Sequence, residues 1–389
     1  MFGRKVNNIV VMNIGAWTFR RVPVSGVNLR MVFRWGIILS VSGLLAACSA
    51  SGVKEASGPI YWPKPPEQPR FVYAASLRNE NSLKSLSAAE KMRFRISGYV
   101  EKKEIFMKPF GVAAHNGSVA VTDTVLRRGY IFNFWRKKLY SFGVVGPEGV
   151  LVKPMGVAMD EQQNIYVVDI SLRQVLIYDS VGMYLRSVGN KEDFDRPVGV
   201  AVTGDGSRIY VIDAGGIDSQ RHRLLIYDGD GQRLAIVGKR GEGTGEFNLP
   251  THVAVAPDGT VYVLDGGNFR IQAFTPAGEY LRSWGKVGRN LGDLARPRGL
   301  AVDRDGNIYV TDAAYRNFQI FNPQGQLLLS IGEEGLEDKP GQFALPAGIA
   351  VDERDFVYVV DQVFMKVDVF QRVSEQEAAE IMATEATYQ

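Results

Sequence analysis

The chain has 389 residues, with 45 Lys and Arg against 42 Asp and Glu, 46% hydrophobic residues, three His and one Cys. A single Cys excludes an internal disulfide framework and any cysteine-rich zinc or iron–sulfur site. Three His (His115, His222 and His252) leave little room for histidine-based metal chemistry, and an aromatic content of 11% argues against disorder.

Residues 1–47 carry six basic residues and no acidic one, and from Trp35 to Ala47 the chain reads WGIILSVSGLLAA. This apolar run is too short to span a bilayer as a permanent helix. Basic residues, an apolar core and then small residues have the shape of a signal peptide. The run ends Leu45-Ala46-Ala47-Cys48, which resembles the bacterial lipobox. Cys48 is therefore expected to be lipidated and to become the first residue of the mature chain. Met31 is an alternative start, because MVFRWGIILSVSGLLAAC is a complete signal of this kind. Ser49 after the Cys resembles lipoproteins directed to the outer membrane, if the cell is Gram-negative. The expected location is extracytoplasmic, in a bacterial envelope, with the membrane as one partner. All six basic residues of the leader precede Cys48, so the net charge from Cys48 onward is about −3. An overall basic surface for nucleic acid is not expected.

Residues 48–69 are small residues followed by prolines and read as a spacer, partly extended. Phe71–Leu77 alternates as a strand. Ser87-Ala88-Ala89-Glu90 matches a capping box and predicts a short connecting helix.

A Pro-x-Gly-hydrophobic-Ala pattern then recurs, at Pro109, Pro154, Pro197, Pro250, Pro297 and Pro346. His252 takes the Gly place in the fourth copy. The spacings are 45, 43, 53, 47 and 49 residues. Each copy is followed by a strand ending in Asp, as in Ile165-Tyr166-Val167-Val168-Asp169 and Ile308-Tyr309-Val310-Thr311-Asp312. Period-2 hydrophobicity at this repeat length predicts an all-β fold, a β-propeller with one four-stranded sheet per repeat and six blades. Pro opens the innermost strand, where a missing N–H costs least. Gly lets the backbone crowd toward the central axis. Asp205-Gly206, Asp258-Gly259 and Asp305-Gly306 predict tight hairpins between the first two strands.

Five copies have a fourth strand before the next Pro, whereas the sixth ends at Val367-Asp368-Val369-Phe370. The strand at 71–77 is predicted to supply the outermost strand of blade six and close the ring. Residues 374–389 form an acidic tail, helical from Ser374-Glu375-Gln376-Glu377 or frayed in solvent.

At this point residues 70–373 resemble the NHL-repeat family of six-bladed propellers. The resemblance rests on Asp265-Gly266-Gly267-Asn268-Phe269-Arg270-Ile271-Gln272-Ala273-Phe274 and on the inter-blade run Gly241 to Pro250. With the lipobox, the whole resembles a bacterial NHL-repeat lipoprotein. A propeller hosts binding and catalysis alike, so function has to be argued from a site.

The six repeated Asp (Asp123, Asp169, Asp213, Asp265, Asp312 and Asp361) are expected to be architectural, accepting local backbone N–H bonds. The peptidylglycine-type lyases, which resemble NHL propellers, carry zinc-binding His directly after the repeat Pro in three blades. The matching residues here are Phe110, Met155, Val198, Thr251, Arg298 and Ala347, and none is His. They offer no carboxylate or amide for a lactonase either, and no Gly-x-Ser-x-Gly motif supports a hydrolase. No catalytic residue, metal or cofactor is expected.

Those six residues define a candidate channel-mouth binding site, mostly apolar with one cation. Arg298 there suits a ligand carboxylate or phosphate. A second candidate is the recognition loop around Arg221, His222 and Arg223, in the long insertion of blade three. A third is a basic cluster in blade one, Arg127-Arg128 with Arg136-Lys137-Lys138, suited to anionic lipid headgroups or an acidic partner. The expected role is a lipid-anchored scaffold that binds an envelope protein or small ligand. The alternative is a propeller lyase, lactonase or hydrolase working without the three-His zinc motif.

Overall fold

A computed structural model describes residues 59–84, 104–216, 218–335 and 337–387. Cys48, the leader 1–47 and the helix predicted at Ser87 lie outside the described residues.

Six antiparallel sheets form a six-bladed β-propeller. Blades one to five each have four strands in chain order, from the innermost strand outward. The innermost strands are Pro109–His115, Pro154–Met159, Pro197–Val202, His252–Val255, Pro297–Val302 and Pro346–Val351. Each contacts the next, and the last contacts the first, so they ring a central channel. All six run in the same direction. The repeat prolines therefore gather at one mouth and the first hairpins at the other.

The second strands, such as Ile165–Asp169 and Val261–Asp265, are buried at every position. Each sheet is covered on both faces by its neighbours, so alternation along these strands does not separate core from solvent. Six apolar clusters result, one at each blade–blade interface. One of them joins Leu77 and Val367 to Phe106 and Phe132 across the seam between the last blade and the first.

Blade six closes as expected. Phe71–Leu77 pairs with Lys366–Arg372, with Phe71 opposite Arg372 and Leu77 opposite Val367. Strands from both chain ends thus share one ladder, and the ring has no open seam. The carboxylate of Asp368 fastens the junction. It accepts from Tyr73 Oη at 3.1 Å and meets Lys366 Nζ at 2.8 Å. Lys366 also meets Asp338 at 3.1 Å, and Asp338 meets Arg78. The network joins both strands to the loop entering blade six.

The spacer is shorter than the sequence implies. Tyr61–Trp62 adds a fifth strand to blade six, pairing with Phe71 and Val72. Trp62 is buried, with its ring edge-on to Phe370 at 5.3 Å. Gly341 makes room for it, since a Cβ there would stand 2.3 Å from the indole. Residues 59–69 therefore belong to the propeller, not to an extended linker. The proline-rich composition concealed one aromatic anchor.

The tail is a helix, Glu375–Thr387. Ser374 and Glu377 cap it reciprocally, with Ser374 N donating to Glu377 Oε2 and Glu377 N to Ser374 Oγ. Ala378 is buried, and Ile381 lines a groove with Tyr61 and Val72 on the outer edge of blade six. The helix docks on its own blade rather than fraying. Among the described residues no helix is long and apolar enough to cross a membrane.

Candidate functional site

The repeated Asp build the frame of the site. Asp312 Oδ2 accepts from the N–H of Ala295 at 2.8 Å and of Arg296 at 3.0 Å. Its Oδ1 accepts from Ala314 and Tyr315. Asp123, Asp169 and Asp361 repeat this four-bond arrangement in their own blades. Each carboxylate ties the entry of the innermost strand to the turn after the second strand. This is the architectural role expected for them, and no acid is left over for chemistry at that position.

The glycines after the repeat prolines bring the blades together. A Cβ on Gly111 would stand 2.7 Å from the Met155 carbonyl oxygen, and one on Gly348 would stand 2.5 Å from that of Phe110. Gly156 and Gly299 face Val198 and Ala347 in the same way. Blade four departs, with buried His252 in the glycine place. Burial pushes its pKa down to about 4, so the imidazole is neutral at physiological pH. Its Nδ1 lies 3.0 Å from the Val253 carbonyl oxygen.

Beside this departure opens a cavity of about 430 Å³, lined by Phe110, Met155, Val198, Thr251 and Arg298 of the candidate set. Ala347 does not line it and is buried in the seam cluster. Arg298 does not reach out to an acid. Its Nη2 donates weakly to Gln362 Oε1 at 3.4 Å, and its guanidinium lies over the Phe110 ring, 5.6 Å from the centroid. Gln362 is held in turn by donation to the Pro109 carbonyl at 3.0 Å. Burial, and then the neighbouring Arg296, lower the Arg298 pKa, although an arginine stays charged. Thr251 Oγ1 is shielded from solvent and has no hydrogen-bond partner among the described residues.

Two further cavity residues, Arg196 and Arg296, were overlooked in the sequence. Both stand immediately before a repeat proline, and blades one and two place Lys108 and Lys153 there. The signal was present as Lys-Pro, Lys-Pro, Arg-Pro and Arg-Pro at repeat spacing. None of these four side chains makes an ion pair among the described residues. No Asp or Glu lines the cavity.

The opposite mouth has the reverse character. A cavity of about 620 Å³ there is lined by six carboxylates and two arginines, with His115. Three of the carboxylates are structural. Asp160, Asp303 and Asp352 each accept from a tyrosine hydroxyl six residues on, at 3.0 Å. Among the described residues no three His, Cys, Asp or Glu stand in metal-holding geometry.

The recognition loop does not survive as a unit. His222 is buried, accepting from Leu249 N at 3.2 Å and facing the Gly216 carbonyl at 3.3 Å. Arg223 pairs with buried Asp213 at 3.2 Å. Only Arg221 remains exposed. Insertion length suggested a free loop, whereas His222 and Arg223 are consumed locally. The blade-one basic cluster is also divided. Arg127 and Arg128 lie at the start of the strand Arg128–Asn133, and Arg136 to Lys138 lie beyond its end, roughly 17 Å away at the opposite face.

Fold and mouth together define a six-bladed propeller with a cavity at each end of its central channel. The family model described as NHL repeat matches residues 247–274 and 294–321, which hold the first three strands of blades four and five and the runs leading into them. Mouse NHL repeat-containing protein 3 is 28% identical over 159 residues, covering 38% of this chain and 42% of that protein. The chain thus spans less than half the length of that curated relative. Among solved structures, a gluconolactonase from Xanthomonas campestris aligns with a TM-score of 0.51 at 18% identity, covering 69% of this chain and 87% of the other. A streptogramin B lyase aligns with a TM-score of 0.51 at 13% identity, covering 69% and 94%. At such identities the two structures share the fold alone. The chain thus carries NHL repeats in blades four and five of a six-bladed propeller.

Proposed function

We propose that this chain is a lipid-anchored, extracytoplasmic binding propeller that engages the carboxylate or phosphate of an envelope ligand or partner at the Arg298 mouth. The observation that carries the reading is Arg298 itself. It is a half-buried cation in a cavity with no carboxylate, held among the described residues by an aromatic face and one long amide contact. Partial burial of an unpaired charge is costly, and an incoming anion offsets that cost. The lipobox at Cys48 supports the anchor, and the absence of His after the repeat prolines supports binding over lyase chemistry.

The test is a crosslinked pull-down of the anchored full chain from its native envelope, wild type against Arg298→Ala. Loss of the captured species in the variant supports the reading, and unchanged capture refutes it. Cys48→Ala, expected to abolish acyl labelling and release the protein from membranes, tests the anchor separately. Stoichiometric metal with lyase, lactonase or esterase turnover would replace the binding reading by an enzymatic one.

A further inference from the structure

We propose that the Arg298 mouth is built for a ligand with several negative charges, an oligophosphate or polycarboxylate, rather than a single one. This rests on the reading of Arg298 given above. Inside the cavity, Arg298 offers one charged, planar fork. Around it, Lys108, Lys153, Arg196 and Arg296 precede the repeat prolines of blades one, two, three and five. The common strand direction brings all four to the same mouth. Their backbone N–H groups are fixed by the repeat Asp of their blades, and their side chains make no ion pair among the described residues.

A monovalent anion satisfies Arg298 and leaves the rim cations unused. An anion with charges spread over several ångströms reaches both. The six carboxylates at the far mouth repel such a ligand, so it enters and leaves by the proline side. A flat anionic bilayer fits less well, because Arg298 and Thr251 lie within a concavity that a planar surface does not enter. The cost of the arrangement is self-repulsion among cations. It persists in the free protein because the rim side chains are exposed and screened by water and salt.

The experiment is calorimetric titration of the full chain in detergent with inorganic phosphate and with tripolyphosphate. Tripolyphosphate is expected to bind at least about tenfold more tightly. The triple variant Lys108→Gln, Lys153→Gln, Arg196→Gln is expected to lose about tenfold in tripolyphosphate affinity and less than about threefold for phosphate. Raising salt from roughly 50 to 200 mM should weaken the wild type more than the triple variant. Equal affinity for the two anions, or an unaffected triple variant, overturns the inference and leaves Arg298 standing. If Arg298→Ala keeps its phosphate affinity while the triple variant loses tripolyphosphate, the Arg298 reading fails and the rim stands. Binding to phosphatidylglycerol vesicles that tripolyphosphate does not compete away would assign the rim to a membrane surface and overturn the proposal.

Discussion

The guanidinium of Arg298, in blade five, lies over the ring of Phe110, in blade one, 5.6 Å from its centroid. The contact crosses the mouth above blade six, whose Gln362 bonds to both sides. It holds a flat fork against a flat ring and leaves guanidinium N–H groups free for an anion. Lysine keeps the charge but neither the plane nor the fork. Arg298→Lys is therefore expected to lose about tenfold in phosphate affinity by titration with little change in melting temperature. Wild-type affinity in the lysine variant would show that charge alone suffices.

Asp312 supports four backbone N–H groups. Asp312→Ala strands them in a largely dry corner. A loss of about 3 kcal/mol is expected in chemical denaturation. A loss below about 1 kcal/mol would mean that water replaces the carboxylate without penalty.

Lys366 is 1% exposed and its partner Asp368 is fully buried. Lys366→Met leaves that carboxylate without its cation and is expected to cost about 3–5 kcal/mol. The double variant Lys366→Met, Asp368→Leu should recover most of this, because the uncompensated charge is gone. Equal stability of the single and double variants would show that the pair is not coupled.

Trp62 tests where the propeller begins. Removing a buried indole that packs on Phe370 should cost about 3–5 kcal/mol in Trp62→Ala. An unchanged denaturation midpoint would return residues 59–69 to the role of a free spacer.

His252 gives a pH dependence with a definite sign. Its folded pKa of about 4 lies below the ordinary value of 6.5. Between these values the unfolded chain binds a proton that the folded chain refuses. The contribution is fully present above pH 6.5 and is lost as pH falls toward 4, by about 1.4 kcal/mol per pH unit. Asp265, Asp352 and Asp368 are pushed upward by burial and act in the opposite sense. The measurement is therefore the difference between wild type and His252→Gln at pH 7.5 and 4.5. The variant should lose roughly 2–3 kcal/mol less than wild type on acidification. Parallel losses in both proteins would contradict burial of a neutral imidazole.

Much of the ring was legible in the residues alone. The prolines, the glycines and the terminal Asp of each repeat act locally, through φ, close approach and short-range N–H bonds, so their spacing is enough to place them. The closing strand 71–77 was legible by counting, because blade six lacked a fourth strand. Trp62 was not, since its value lies in a pocket formed by Phe370 and Gly341, remote in sequence.

The site divides along the same line. The repeat unit, the number of blades, the architectural Asp and the six residues that follow the prolines can all be read along the chain. That Arg298 meets an aromatic ring and an amide instead of an acid emerges once the ring is closed. The closed ring also shows that His222 and Arg223 are spent on local bonds, and that the blade-one cations point to opposite faces. Net charge likewise concealed a channel with cations at one mouth and carboxylates at the other. The physical reason is that conformation and turn chemistry are short-range properties of the chain. Whether a charge is paired depends on what the closed ring brings beside it.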